Sequence, residues 1–188
     1  MAIPSFQIAT IKGDGIGIDV TDATLAVIDA AQSRVGGFSL RYRQILAGAG
    51  YYQETGLDIE AEGEEMAGAA DAIFLGAIGL PSVRYENGTE ISPHLRLRDR
   101  FQLYAGIRPI KAYPNIPQKL SDDRAAAIDM IILRESTEGL FYSAAVHDRC
   151  PVETDDEVQD TLRITRKTTE KLHDFAFNMA RKRKEKGS

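Results

Sequence analysis

The chain has 188 residues, of which 43% are hydrophobic, 27% charged and 7% aromatic, with a formal net charge of −5. That is the size and make-up of one ordinary globular domain able to bury a core, and it excludes a disordered tail, a collagen-like repeat and a disulfide scaffold. Cys150, the only cysteine, can form no intrachain disulfide, which fits a reducing compartment. No apolar run approaches the roughly 18 residues of a membrane span. The N-terminus lacks the basic and apolar pattern of a signal peptide, and the acidic balance argues against general nucleic-acid binding. The expectation is a cytoplasmic protein with no membrane and no nucleic acid among its partners.

In chain order, Phe6 to Ile11 is apolar and β-prone and predicts a short strand, followed by a turn at Lys12-Gly13-Asp14-Gly15-Ile16-Gly17. Val20, Ala23, Thr24, Val27, Ile28 and Ala31 then fall on one face at helical spacing, with Asp19 and Asp22 near the favourable end and Gly36-Gly37 as the stop. Phe38, Leu40 and Tyr42 alternate with Ser39, Arg41 and Arg43, the period of a half-buried strand. After Gly48 and Gly50 a helix is predicted around Ile59 to Ala69. Ala72-Ile73-Phe74-Leu75 suits a strand buried on both faces, and a polar loop follows from Gly76 to Gly88. Ser92-Pro93 reads as a cap and first helical position, opening a helix to about Phe101. Tyr104 to Ile110 and Ile128 to Leu133 predict strands, Asp160 to Thr165 a weaker one. The last helix carries Thr168, Leu172, Phe175, Ala176 and Met179 on one face. The order is that of an α/β layer fold with a mainly parallel sheet. No Pro/Gly/Ser linker separates independent domains. From Arg166 to Ser188 the local charge is +5, leaving −10 for the rest. These basic residues either complement a helix dipole or form a phosphate patch.

Few residue patterns carry chemistry. Gly13, Gly15 and Gly17 match neither the dinucleotide fingerprint nor a phosphate-cradling loop, so they mark a tight turn or part of a ligand site. Arg98 lies in a predicted helix, whereas Arg108 and Arg134 are read at the exits of apolar strands. Arginine there is costly unless it finds a partner. Converging guanidinium groups make a clamp for a carboxylate or phosphate; the alternative is internal pairing with Glu135 or Asp99. The polar run Arg134-Glu135-Ser136-Thr137-Glu138-Gly139 follows a buried strand, where open α/β sheets place their sites, or else is a capped turn. His94, His147 and His173 are scattered without metal-ligand spacing, and no Asp/Glu cluster suggests a metal in this chain.

Taken in order, these motifs resemble the isocitrate/isopropylmalate dehydrogenase family of β-decarboxylating dehydrogenases. Ile11-Lys12-Gly13-Asp14-Gly15-Ile16-Gly17 is similar to the family's opening strand and turn. Leu75-Gly76-Ala77-Ile78-Gly79 matches its nicotinamide-approaching loop. Leu97-Arg98 through Ile107-Arg108-Pro109 and Leu133-Arg134-Glu135-Ser136-Thr137-Glu138-Gly139 match its arginine signatures. The resemblance implies an α/β fold distinct from the Rossmann domain, with two discontinuous domains of which only the N-terminal parts are present: 1–100 in the large domain and 101–188 in the dimerisation and substrate domain.

It also implies NAD or NADP as hydride acceptor, Mg²⁺ or Mn²⁺ to hold a 2-hydroxy acid of the malate type, and a homodimer when complete. The cofactor-binding residues would be Gly76, Ala77, Ile78 and Gly79. Arg98, Arg108 and Arg134 would grip the substrate carboxylates, and Ser92 and His94 would help to choose the substrate, although Ser92 could serve only as a helix cap. Seven residues past Arg134 the family carries a proton-donating tyrosine; here that position is Phe141, and Tyr142 beside it, or water, is the expected donor. The general base, the metal ligands and the adenine loop are expected in a C-terminal half beyond residue 188, so the chain alone is expected to be inactive. The competing readings are a non-catalytic anion-binding or regulatory subunit and a protein that acts by association alone.

Overall fold

In the first part of the chain, three strands run side by side in one direction. They are β1 (Ser5–Gly13), β2 (Ser39–Gln44) and β3 (Ala72–Ala77), in the order β2-β1-β3. Ile8 lies opposite Tyr42 on one side and Ala72 on the other. The computed structural model describes residues 3–117, 119–144 and 152–183. Cys150, His147 and the basic residues beyond Arg183 lie outside them. The central strand supplies the core: Ala9 and Ile11 are buried completely or nearly so. That is what an apolar run flanked by parallel neighbours is suited to.

Helix α1 (Ile16–Val35) crosses back over this sheet, turned differently from the sequence expectation. Val20 and Val27, expected to face inward, are 53% and 68% exposed, whereas Gly17 and Thr21 are buried. The close approach explains the difference. A Cβ on Gly17 would lie 2.5 Å from the Lys12 carbonyl oxygen and 2.6 Å from that of Ala77. The helix therefore meets the sheet at Gly17 and Thr21, and the close approach at Gly17 fixes its rotation. Leu25 and Ile28, farther along that side, line an apolar recess with Ile8, Leu40, Tyr42 and Phe74.

Between β2 and β3 the chain forms α2 (Ala49–Thr55), which the sequence reading did not foresee, and a short α3 (Gly63–Gly68) in place of the longer helix expected over residues 59–69. Ile59 instead bridges to Ala47, and Glu62 turns the chain with a positive φ of 60° before α3. Ile45, Ala47, Ala49, Ile59 and Ala67 form the rest of this core. Helix α4 (Pro93–Arg100) follows, with Pro93 and Leu97 buried.

The backbone separates into two units, Met1–Leu97 and Arg98–Ser188. In the second unit, β4 (Ala105–Lys111) and β5 (Asp129–Glu135) pair antiparallel, so the parallel expectation applies to the first sheet alone. A one-turn helix, α5 (Phe141–Ala144), precedes two minimal strands, β6 (Val152–Glu153) and β7 (Val158–Gln159). The strand expected over residues 160–165 does not form. The Asp160 carboxylate accepts from the Ser143 hydroxyl and the Thr161 N–H, and Arg163 makes an isolated bridge to Gly139. Helix α6 (Arg166–Lys182) begins at Thr165, whose hydroxyl caps the Thr168 N–H, and packs on β5. At its far end Arg183 pairs with Asp129 at 2.6 Å. Among the described residues no helix is long and apolar enough to cross a membrane.

Candidate functional site

The antiparallel register builds the centre of the candidate site. Residues directly opposite each other share a face, and alternate residues change face. Gly106 lies opposite Arg134, Arg108 opposite Ile132, and Ile110 opposite Met130, so Arg108 and Arg134 project from the same side of the β4–β5 pair as diagonal neighbours. That side is the open one: Ile131, Leu133 and Glu135 are half-buried while Met130, Ile132 and Arg134 are exposed. Arg108 thus stands in the middle of β4, not at the strand exit expected from sequence. An exposed face removes the burial cost that argued for an exit. Gly106 leaves space beside Arg134, since a Cβ there would lie 2.9 Å from the Ser136 hydroxyl and 3.2 Å from the Arg134 carbonyl oxygen.

Arg98, from the last turn of α4, completes the group. Burial first, then the positive charges of Arg134 and Arg108, hold its guanidinium below the ordinary arginine value. Among the described residues no carboxylate pairs with Arg98, Arg108 or Arg134. Glu135, weighed as an internal partner, accepts instead from the Thr137 N–H at 2.7 Å, the Thr137 hydroxyl at 2.6 Å and the Glu138 N–H at 2.7 Å. Glu138 accepts from the Thr165 N–H and hydroxyl, each at 2.7 Å, and from the Thr168 hydroxyl at 2.9 Å. Burial raises the Glu138 carboxyl, but these bonds and the nearby Arg163 charge outweigh it, so the group lies below its ordinary value.

The aromatic residues at the site divide between two sides. The Phe141 ring faces the arginines: the Arg134 guanidinium carbon is 4.7 Å from its centroid and that of Arg98 is 6.0 Å away. Tyr142, expected as proton donor, has its ring against Arg163 at 4.8 Å. The sequence reading took Phe141 only as the loss of a hydroxyl. Residues 141–144 form a helical turn and not the extended segment expected, and neighbouring side chains on a helix diverge by about 100°, which sends the two rings to different arginines.

The first unit holds the other expected site residues. Gly76 and Ala77 end β3, and Ile78 and Gly79 continue as a loop; Gly79 has a φ of 123° and open space where a Cβ would stand. This loop is tied down by Asp14, which the sequence reading passed over inside the glycine turn. The buried Asp14 carboxylate accepts from the backbone N–H groups of Ala49 at 2.8 Å, Gly50 at 2.8 Å and Gly79 at 2.7 Å. The signal was an acid placed where glycines bring three chain segments together. Ser92 precedes α4, its carbonyl accepting from the Leu95 N–H, and His94 lies in the first turn of the helix.

A further polar group went unforeseen. Arg96 donates to both oxygens of Asp58 at 2.8 and 2.9 Å and to Glu64, and the Tyr85 hydroxyl donates to Asp58. Burial raises Asp58, yet the bonds from Arg96 and Tyr85 leave it below its ordinary value. Burial and the Asp58 carboxylate push Tyr85 up to about 12. Among the described residues no three His, Cys, Asp or Glu side chains gather as a metal site.

The pattern of the isocitrate/isopropylmalate dehydrogenase family matches residues 7–187. The chain belongs to that family. It is 33% identical to the 3-isopropylmalate dehydrogenase of Heyndrickxia coagulans over 96% of this chain and 50% of that one. It is 30% identical to the decarboxylating D-malate dehydrogenase of Escherichia coli (strain K12) over 97% of this chain and 50% of that one. The crystal structure of isocitrate dehydrogenase from Methylococcus capsulatus superposes with a TM-score of 0.73 at 26% identity, covering 96% of this chain and 49% of that one. The chain spans about half the length of these isocitrate/isopropylmalate dehydrogenase relatives. The expected family-like α/β fold, distinct from the Rossmann domain, is the one found.

Proposed function

We propose that the chain supplies the substrate-gripping part of an NAD(P)-dependent decarboxylating dehydrogenase acting on a malate-type 2-hydroxy acid. The observation that carries this reading is the convergence of Arg98, Arg108 and Arg134 with no carboxylate partner among the described residues. Guanidinium groups bind carboxylates through paired N–H bonds, and several at once both neutralise and orient a dianion. The substrates named for the two relatives and the solved structure, isopropylmalate, D-malate and isocitrate, share that dicarboxylate core.

For the cofactor, the bare backbone at Gly79 fits a flat ring passing close to the loop, with Gly76, Ala77 and Ile78 beside it. A bound nicotinamide would take the hydride from the hydroxyl-bearing carbon. The divalent ion that the family resemblance implies finds no donor set among the described residues. Ser92 and His94 belong to this reading as substrate-choosing positions, and a homodimer as its working form. Tyr142, with its ring against Arg163 and not the substrate arginines, leaves water as the proton donor of this reading, so in a catalytically competent assembly of the chain Tyr142→Phe should keep its turnover; a large loss would make Tyr142 the donor.

Calorimetric titration of the 188-residue chain at low ionic strength tests the reading. D-malate, 3-isopropylmalate and isocitrate should bind, lactate should not, and added salt should weaken binding. Arg134→Ala should lower the affinity roughly 10- to 100-fold, the range for one charge-assisted bond pair. Equal binding of lactate, or no binding of any dicarboxylate, overturns the reading. The same sample is expected to reduce no NAD⁺ by itself.

A further inference from the structure

We infer that Phe141 is a positioning residue for the arginine cluster, an aromatic platform on which Arg98 and Arg134 rest in the arrangement an incoming dicarboxylate meets; this rests on the anion-gripping reading above. Three like charges drawn together, with no carboxylate paired to them among the described residues, repel one another, and Arg98 is partly withdrawn from water as well. Glu135 and Glu138, next along the chain, are committed to backbone and threonine donors. What faces two of the three guanidinium groups instead is the ring of Phe141, at 4.7 and 6.0 Å from its centroid. The face of an aromatic ring carries partial negative charge and attracts guanidinium within about 6 Å.

A ring holds its visitors in place only if it is itself held. The turn that carries Phe141 is fixed by contacts separate from the arginines. The Gly139 N–H donates to the Arg163 carbonyl at 2.7 Å, and the Phe141 N–H donates to the Glu138 carbonyl at 3.3 Å. Ser143 bonds to Asp160 on the far side of the turn. Phe141 offers attraction without a fixed negative charge. A carboxylate in its place would occupy the same N–H donors that the ligand needs, whereas a ring face leaves the guanidinium edges open.

The test replaces Phe141 in the 188-residue chain with leucine, with tyrosine, and with 4-fluoro-, 3,5-difluoro- and pentafluorophenylalanine, which keep the shape while draining the negative face. Two quantities are read: the D-malate Kd by calorimetry at low salt, and the NMR positions of the Arg98 and Arg134 δ-protons in the unliganded chain, which a ring face shifts upfield. Affinity should fall stepwise along the fluorine series, by about three- to tenfold in total, the range for a cation over a ring face. Leucine should match pentafluorophenylalanine, tyrosine should stay within about twofold of the parent on the same basis, and the upfield shifts should relax in the same order. If the parent binds D-malate and the series is flat, Phe141 merely fills space and the inference is overturned. If the parent binds no D-malate, the anion-gripping reading fails, and the δ-proton shifts decide the platform separately: fluorine-dependent shifts support it, and their absence overturns it.

Discussion

Asp14 holds three backbone N–H groups with one buried carboxylate, and those groups come from the start of α2 and from the loop after β3. The arrangement excludes any side chain at Gly48, where a Cβ would lie 2.6 Å from a carboxylate oxygen. Asp14→Asn keeps the size but loses the charge and turns one acceptor into a donor facing an N–H. It should destabilise the chain by about 2–3 kcal/mol in urea denaturation, and should free the Gly79 amide for rapid hydrogen exchange. Thr21 presents the opposite case. Its hydroxyl is buried against Gly76 and has no hydrogen-bond partner among the described residues. Thr21→Val exchanges an unsatisfied polar group for a methyl of similar shape and should stabilise the chain by about 1 kcal/mol in the same assay.

Among elements, α3, α4 and the segment before β3 are joined by Arg96, Glu64 and Asp58. Asp58 has its pKa lowered in the folded chain, so its contribution to stability is present above the ordinary aspartate value and is lost as pH falls through the folded one. Melting temperature should therefore decline below about pH 4, and Asp58→Asn should flatten that decline while lowering stability at neutral pH. Arg96→Lys keeps the charge but cannot span both Asp58 oxygens, and should recover only part of the loss. What was legible at this scale depended on distance along the chain. The apolar runs of β1, β3 and β5 and the apolar spacing of α6 are local signals, and each element formed where it was read. Helix α2 was missed because Gly48 and Gly50 read as breakers, while the group that holds its start, Asp14, is 35 residues away. The rotation of α1 was missed for the same reason: its apolar count favoured Val20 and Val27, but the contact at Gly17 with Ala77 decides it. At the site, the three arginines were legible through the order of the motifs. The shared face of Arg108 and Arg134 required the antiparallel register, which no local pattern encodes, and the place of the Phe141 ring required the helical turn that follows β5.

At the scale of the molecule, the first sheet ends on both sides in a bare strand. Among the described residues β2 and β3 pair only with β1, and Leu75 on the β3 edge is 38% exposed. Open parallel edges pair readily with other chains. Light scattering should show mass rising with concentration and with ionic strength, as screening weakens the repulsion of a chain carrying −5 overall. A lysine at Leu75 should suppress the rise, and constant mass would show the edges to be protected. The β4–β5 pair imposes a different constraint, one on how this stretch can change over time. Arg108, Ile132 and Arg134 share a face only because residues alternate strictly along both strands. Insertion or deletion of one residue before Arg134 would send its guanidinium toward α6 and bring Leu133 or Glu135 to the open side. The segment can therefore diversify by substitution but not by length, so that any drift in ligand preference must come from neighbouring side chains on a frame whose spacing stays fixed.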